Sequence, residues 1–134
     1  MNTEEHVGEG LATPLSGRTA PGFEHIDEEL CRSFRRSAEL VGRKWTAGIL
    51  LAGMLGARRF IEYRAHVDGI SDKLLTQRLR ELEAEGLLER HVAPTTPVLV
   101  TYQPSERAAG LMRALHPLVK WSIVDQKLAR AART

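Results

Sequence analysis

The sequence predicts a mainly α-helical fold carrying one small β-hairpin, and three observations predict it. The first is residues 70–90, ISDKLLTQRLRELEAEGLLER, which sort onto two faces of a single helix. At about 100° per residue, Lys73, Thr76, Gln77 and Arg80 fall within an arc of roughly 100°, and Leu75, Leu79 and Leu82 cluster about 180° away. The second is the stop at Gly86, suited to the left-handed position that ends a helix, with the apolar-leading run LLERHV directly after it. The third is a tip, Pro94-Thr95-Thr96-Pro97, between strand-like runs at 87–93 and 98–102. Its prolines remove backbone donors and limit edge pairing. A helix with a polar outer face that leads straight into a hairpin is the start of the wing in a winged helix-turn-helix.

The remaining elements follow in chain order. Residues 1–24 mix Gly, Ser, Thr, Pro and acids without periodicity and read as a disordered acidic tail. Residues 25–134 form the domain. Its first helix starts near Asp27, where Asp27, Glu28 and Glu29 suit the positive helix end. Leu30, Phe34, Ala38 and Val41 give that helix an apolar stripe, and Gly42 ends it. A second helix is expected over 44–55, with bulk from Trp45, Ile49 and residues 51–55, and Gly56 as its stop. Arg58-Arg59-Phe60 is too short for a free strand but could pair with the wing. A third helix covers 61–66, Asp68-Gly69 turns the chain, and Ser71 is a good N-cap for the helix of residues 72–85. Ser105 caps a last helix over 106–131, with Leu111, Leu115, Leu118, Ile123 and Leu128 on its apolar face. Pro117 lies inside that helix and is expected to kink or split it.

Composition bounds the function. The chain has 134 residues, room for one core. No apolar run approaches the ~18 residues of a membrane span, no signal sequence opens the chain, and a single cysteine excludes an internal disulfide framework. A cytoplasmic location is expected. Net charge is +2, but residues 1–31 hold one Arg against seven acids, while residues 32–134 hold eighteen Lys and Arg against ten acids. A basic body with an acidic tail fits a polyanionic partner. Lys and Arg reach guanine edges or phosphates, Gln bonds adenine, and Thr suits either base edges or backbone. Glu81, Glu83 and Glu85 lie in the C-terminal half of the same helix, away from the residues that would enter a groove. The expected partner is double-stranded DNA.

Three blocks, LVGRKWTAGILL, RRFIEYR and GISDKLLTQRLRELEAEGLLER, together with Trp121, closely resemble the HxlR-type family of winged helix-turn-helix transcription regulators, relatives of the MarR group. The resemblance covers about residues 31–125. It implies a homodimer built from the first and last helices, here Leu30, Phe34, Leu111, Leu115, Leu118 and Trp121. It further implies two recognition helices on a pseudo-palindromic operator, and regulation, usually repression, in response to electrophiles or other small molecules. Lys73, Thr76, Gln77 and Arg80 match the groove-facing positions of the family, behind the cap Ser71. Arg58 and Arg59 match a basic pair facing phosphate, and Lys44 sits where backbone contact is also expected. Three departures stand out. Asp72 replaces a common Pro and would be repelled by phosphate unless it accepts from a cytosine amino group. Leu99 replaces a wing Arg. Cys31 lies fourteen residues before Trp45, where many relatives place a redox-sensing Cys thirteen before it.

Cys31 is accordingly a candidate redox sensor, with Arg32, Arg35 and Arg36 as neighbours that could favour its thiolate. The alternative is a small buried apolar residue. Gly48 and Gly53 either permit close helix packing or leave space for a small effector near Trp45, and both tryptophans read as core or dimer-seam residues. The histidines at 6, 25, 66, 91 and 116 lack metal-ligand spacing. Neither a metal, a cofactor nor catalysis is expected. The alternative function is a winged module that acts through protein contacts with the transcription machinery, which the acidic tail and Asp72 would favour.

Overall fold

The computed structural model describes residues 17–133. Most of the acidic tail, residues 1–16, lies outside the described residues; residues 17–27 form turns, with Phe23 N–H donating to Ala20 O at 3.1 Å and Ile26 N–H to Phe23 O at 3.2 Å. The chain groups into two compact units that divide after Gly42.

The first unit contains α1 (Glu28–Gly42), which starts as its acids require. The Asp27 carboxylate accepts from Leu30 N–H at 2.9 Å and caps the helix. Glu28 then pairs with Arg32 one turn on, at 3.6 Å. No residue of α1 is buried, and Phe34 is 70% exposed.

The second unit begins at Arg43 and runs through α2 (Thr46–Met54), α3 (Phe60–His66), α4 (Asp72–Ala84), β1 (Leu88–Ala93), β2 (Leu99–Pro104) and α5 (Glu106–Arg133). The two strands form one antiparallel hairpin in which Leu88 faces Pro104 and Ala93 faces Leu99. This is the winged helix-turn-helix that the sequence predicts. Its core is made of Ile49, Leu50 and Ala52 from α2, Tyr63 from α3, Leu75, Leu79 and Leu82 from α4, and Leu87 and Leu88 at the mouth of the hairpin.

α2 differs from expectation at its start and in its buried face. Trp45 takes a left-handed conformation, φ 80°, which holds the chain out of the helix until Thr46. Leu51, Met54 and Leu55 are exposed, so the large buried side chains of α2 are Ile49 and Leu50. Gly53 is the residue that allows α2 to approach the wing. A Cβ there would meet Pro104 Cγ at 2.8 Å and the Tyr63 hydroxyl at 3.0 Å. Gly48 is not explained in this way, because its nearest neighbour would be Val67 Cγ1 at 4.0 Å.

α5 continues through Pro117 and is not split there. Proline removes one backbone donor, but the helix has eleven residues before Pro117 and sixteen after it to sustain it. Trp121 is 61% exposed and therefore no core residue. Among the described residues of α5 only Ala108 is buried. No helix among the described residues is long and apolar enough to cross a membrane.

Two long-range bonds lock the wing to the helices. Tyr102 N–H donates to Arg58 O at 2.7 Å, the pairing that Arg58-Arg59-Phe60 suggested. The buried Tyr63 hydroxyl donates to Tyr102 O at 2.9 Å. Burial pushes the Tyr63 phenol up to about 12 from its usual 10. A raised folded-state value means that the unfolded chain loses this proton first as pH rises. The stabilisation from Tyr63 is therefore complete below about pH 10 and lost towards pH 12. Tyr63→Phe should cost about 1 kcal/mol at neutral pH, because it leaves Tyr102 O without its partner. Between about pH 9 and pH 12 the wild type should lose roughly 1–3 kcal/mol more than the variant, at about 1.4 kcal/mol per pKa unit. Urea unfolding across that range measures both effects, and parallel curves would remove Tyr63 from the alkaline transition.

Candidate nucleic-acid interface

The site is built on α4. Ser71 lies outside the helix in an extended conformation, and its Oγ accepts from Leu74 N–H at 3.1 Å, which sets where the first turn begins. Leu75, Leu79 and Leu82 are buried to 2% exposure or less, and this pins the rotation of the helix about its axis. The opposite face is then solvent-facing by geometry. Lys73, Gln77 and Arg80 are exposed on it, and Thr76 is half-buried at its edge. At the far end Glu85 is the last half-turn residue and Gly86 takes φ 77°. Arg107 Nη1 donates to Glu85 O at 2.5 Å and Ser105 Oγ to Gly86 O at 2.7 Å, so the C-terminus of α4 is fastened to the start of α5.

The expected site residues are not equivalent. Lys73 and Arg80 carry no ion pair or hydrogen bond among the described residues, and their charges are free for a polyanion. Thr76 Oγ1 donates back to Asp72 O at 2.9 Å, which commits its proton to the backbone and leaves the oxygen as an acceptor with the methyl beside it. Gln77 Nε2 donates to Glu81 Oε2 at 3.2 Å, and Arg78 Nη1 donates to Glu81 Oε1 at 2.9 Å. Glu81 therefore reaches back towards the polar face instead of standing away from it, a correction to the sequence reading. Helical spacing places the two Cα atoms one turn apart, but which way a long side chain lies is not contained in that spacing.

Arg58 and Arg59 also separate. Arg58 Nη1 donates to Gly53 O at 3.0 Å and Ala57 O at 2.7 Å, so this half-buried guanidinium satisfies carbonyls at the end of α2. Arg59 is exposed. The backbone N–H groups of Arg59 and Arg58 both donate to the Glu62 carboxylate, at 3.0 and 2.8 Å, and hold it below the usual carboxylate range. Lys44 is exposed with its Nζ 4.9 Å from the centroid of the Trp45 ring. Asp72 is paired with Arg64 of α3 at 2.8 Å. That ion pair supplies the local neutralisation which the sequence left unassigned, although with both groups at least half exposed it adds little stability.

Outside α4, α2 and α5 share an open apolar groove of about 600 Å³ that includes Gly48, Leu51, Met54, Met112 and Leu115. Trp45 does not line it; a Cβ on Gly69 would lie 3.7 Å from the Trp45 ring. Cys31 is half-buried in the first turn of α1, where Arg32 is engaged with Glu28 and Arg36 Nη2 donates to Ser33 Oγ at 3.3 Å.

The HxlR-like helix-turn-helix family model matches residues 40–129, from the end of α1 through most of α5. The chain belongs to this family. Its members are transcriptional regulators rather than enzymes. The regulator YvaP of Bacillus subtilis is 33% identical over 94 residues, 70% of this chain and 87% of YvaP. The crystal structure of diamide-treated YodB from B. subtilis is similar with a TM-score of 0.60 and 34% identity, covering 72% of this chain and 93% of that one. The redox regulator HypR in its reduced form is similar with a TM-score of 0.67 and 26% identity, covering 74% and 98%. The HxlR-like match spans all four residues of the polar face of α4, Lys73, Thr76, Gln77 and Arg80.

Proposed function

We propose that this HxlR-like protein is a homodimeric, sequence-specific DNA-binding repressor that responds to a small-molecule or redox signal. The observation that carries the reading is the division of α4: three leucines buried on one side, and Lys73, Gln77 and Arg80 exposed on the other. A helix held in this way enters a major groove with an amide and two cations leading. Ser71 sets its start, Thr76 offers an acceptor at its edge, and Arg59 and Lys44 are the exposed cations for phosphate. Arg58 serves chiefly to tie α2 to the following turn. Asp72, one of the features that would favour a protein-contact module, is already neutralised by Arg64.

Gln77→Ala and Arg80→Ala should each weaken binding to a selected operator by ~1–3 kcal/mol and leave random duplex nearly unaffected. A mobility-shift titration of both DNAs at fixed salt decides it. Equal losses on the two would make these residues phosphate contacts only.

Pairing of two copies is supported by the apolar surface that each unit leaves uncovered. Leu118, Trp121, Ile123 and Leu128 are all more than half exposed on α5, as is Phe34 on α1. Such patches mark interfaces, and twofold closure is their common solution. Sedimentation at micromolar concentration should report a dimer without DNA; a monomer there would refute the pairing.

Two features could receive the signal, the Cys31 thiol and the apolar groove between α2 and α5. With a thiol input, diamide should abolish operator binding, reductant should restore it, and Cys31→Ser should bind normally and ignore the oxidant. The test is clean because Cys31 is the single cysteine of the chain. Wild-type binding that diamide leaves unchanged would place the input in a non-covalent ligand.

A further inference from the structure

A glutamine amide reads a base only if its oxygen and nitrogen are the right way round. Adenine offers N7 as acceptor and N6–H as donor, so Gln77 must present one Nε2–H and its Oε1 together. A free Gln on a helix surface populates both amide orientations, and half of them oppose the wrong atoms. Gln77 is not free. One of its two Nε2 protons goes to Glu81 Oε2 at 3.2 Å. A carboxylate is acceptor-only, so the flipped amide, which would turn Oε1 towards Glu81, is repelled. The other Nε2 proton and Oε1 remain available on the exposed side.

Glu81 is itself held. Arg78 Nη1 donates to Glu81 Oε1 at 2.9 Å, and the Arg78 side chain is 26% exposed against 41% for Glu81. The chain of contacts therefore runs from a partly buried cation, through a carboxylate, to the amide on the exposed face. On charge alone Glu81 is a poor residue to keep one turn from a DNA-reading face, since it opposes phosphate. Displacement of water from a groove would strengthen both of its hydrogen bonds at the moment of reading.

We propose that Glu81 is a positioning residue, anchored by Arg78, that fixes the Gln77 amide in the orientation required to read adenine. This rests on the DNA-reading function proposed above and adds the base class that one contact selects.

The full-length protein and its variants would be tested by selection from a randomised duplex library, followed by sequencing. The wild type should yield a motif with an adenine in each half-site that Gln77→Ala loses. Glu81→Ala should reduce the preference for that same adenine by about fivefold or more, the low end for a good amide–adenine pair. Other motif positions should stay unchanged, and affinity for random duplex should stay equal or rise, because a negative charge has gone. Glu81→Gln keeps the size of the side chain but adds an amide donor that can meet Gln77 Oε1, so both orientations of Gln77 become acceptable and the adenine preference should fall as in Glu81→Ala; it also serves as the variant least able to disturb the fold. Thermal unfolding of each variant confirms that the fold is intact.

An adenine preference that survives Glu81→Ala would overturn the proposal. So would a preference that survives Glu81→Gln, because an amide at position 81 accepts either orientation of Gln77 and an acceptor-only carboxylate would then not be what fixes it. If Gln77→Ala leaves the motif intact, Glu81 has no reader to position, although the regulator reading stands. If the wild type selects no motif at all, the DNA-reading function fails and this proposal fails with it.

Discussion

The outward presentation of the polar face of α4 depends on the burial of Leu75, Leu79 and Leu82. Each of these residues sits on one side of α4, and together they leave the helix a single rotational setting. The polar face has no structural partner that fixes its direction; it points outwards because its opposite cannot. A polar substitution at any of the three would release the rotation of α4 as well as cost core stability. At roughly 1.5–3 kcal/mol for each fully buried aliphatic side chain, the orientation of α4 is held far more firmly than exposed ion pairs such as Arg64–Asp72 could hold it.

The second constraint is the junction of α2, α3 and β2. Gly53, Tyr63 and Pro104 lie within contact distance there, and only a residue without Cβ fits at Gly53. Tyr63 bonds the carbonyl of Tyr102, and the N–H of the same Tyr102 bonds Arg58 O. One residue of the returning strand thus spends both its backbone groups on α3 and the turn that leads into it. The wing is consequently an extension of the core rather than an appended hairpin, which is why a two-stranded sheet can persist here.

α4 was legible in the sequence because each of its signals is local: a cap at Ser71, a leucine row at helical spacing, and a glycine at Gly86. The hairpin was legible for the same reason. The start of α2 was not, because Trp45 adopts φ 80°, a conformation that side-chain type does not announce. Pro117 does not split α5, because a local rule against proline was outweighed by long helix on both sides. At the candidate site the cations and the amide were legible as residue types, but their commitments were not. The bond of Arg58 to Gly53 O and the contact of Glu81 with Gln77 depend on side-chain direction. Tyr63 and Tyr102 are thirty-nine residues apart, beyond any local pattern.

The direct passage from Pro104 through Ser105 into α5 has a mechanical consequence. Ser105 Oγ both accepts from Ala108 N–H, at 3.2 Å, and donates to Gly86 O, while Ser105 N–H reaches Leu87 O. The base of α5 is therefore clamped to the end of α4. At about 1.5 Å per residue, a helix of 28 residues extends roughly 42 Å. It is a lever whose fulcrum is the end of α4. A tilt of only a few degrees at its base sweeps the far end through roughly 2–4 Å on that length. Run in reverse, a displacement of a few ångströms imposed along the exposed outer stretch of α5 is geared down to a tilt of a few degrees at the end of α4, resisted by the packing of Leu75, Leu79 and Leu82.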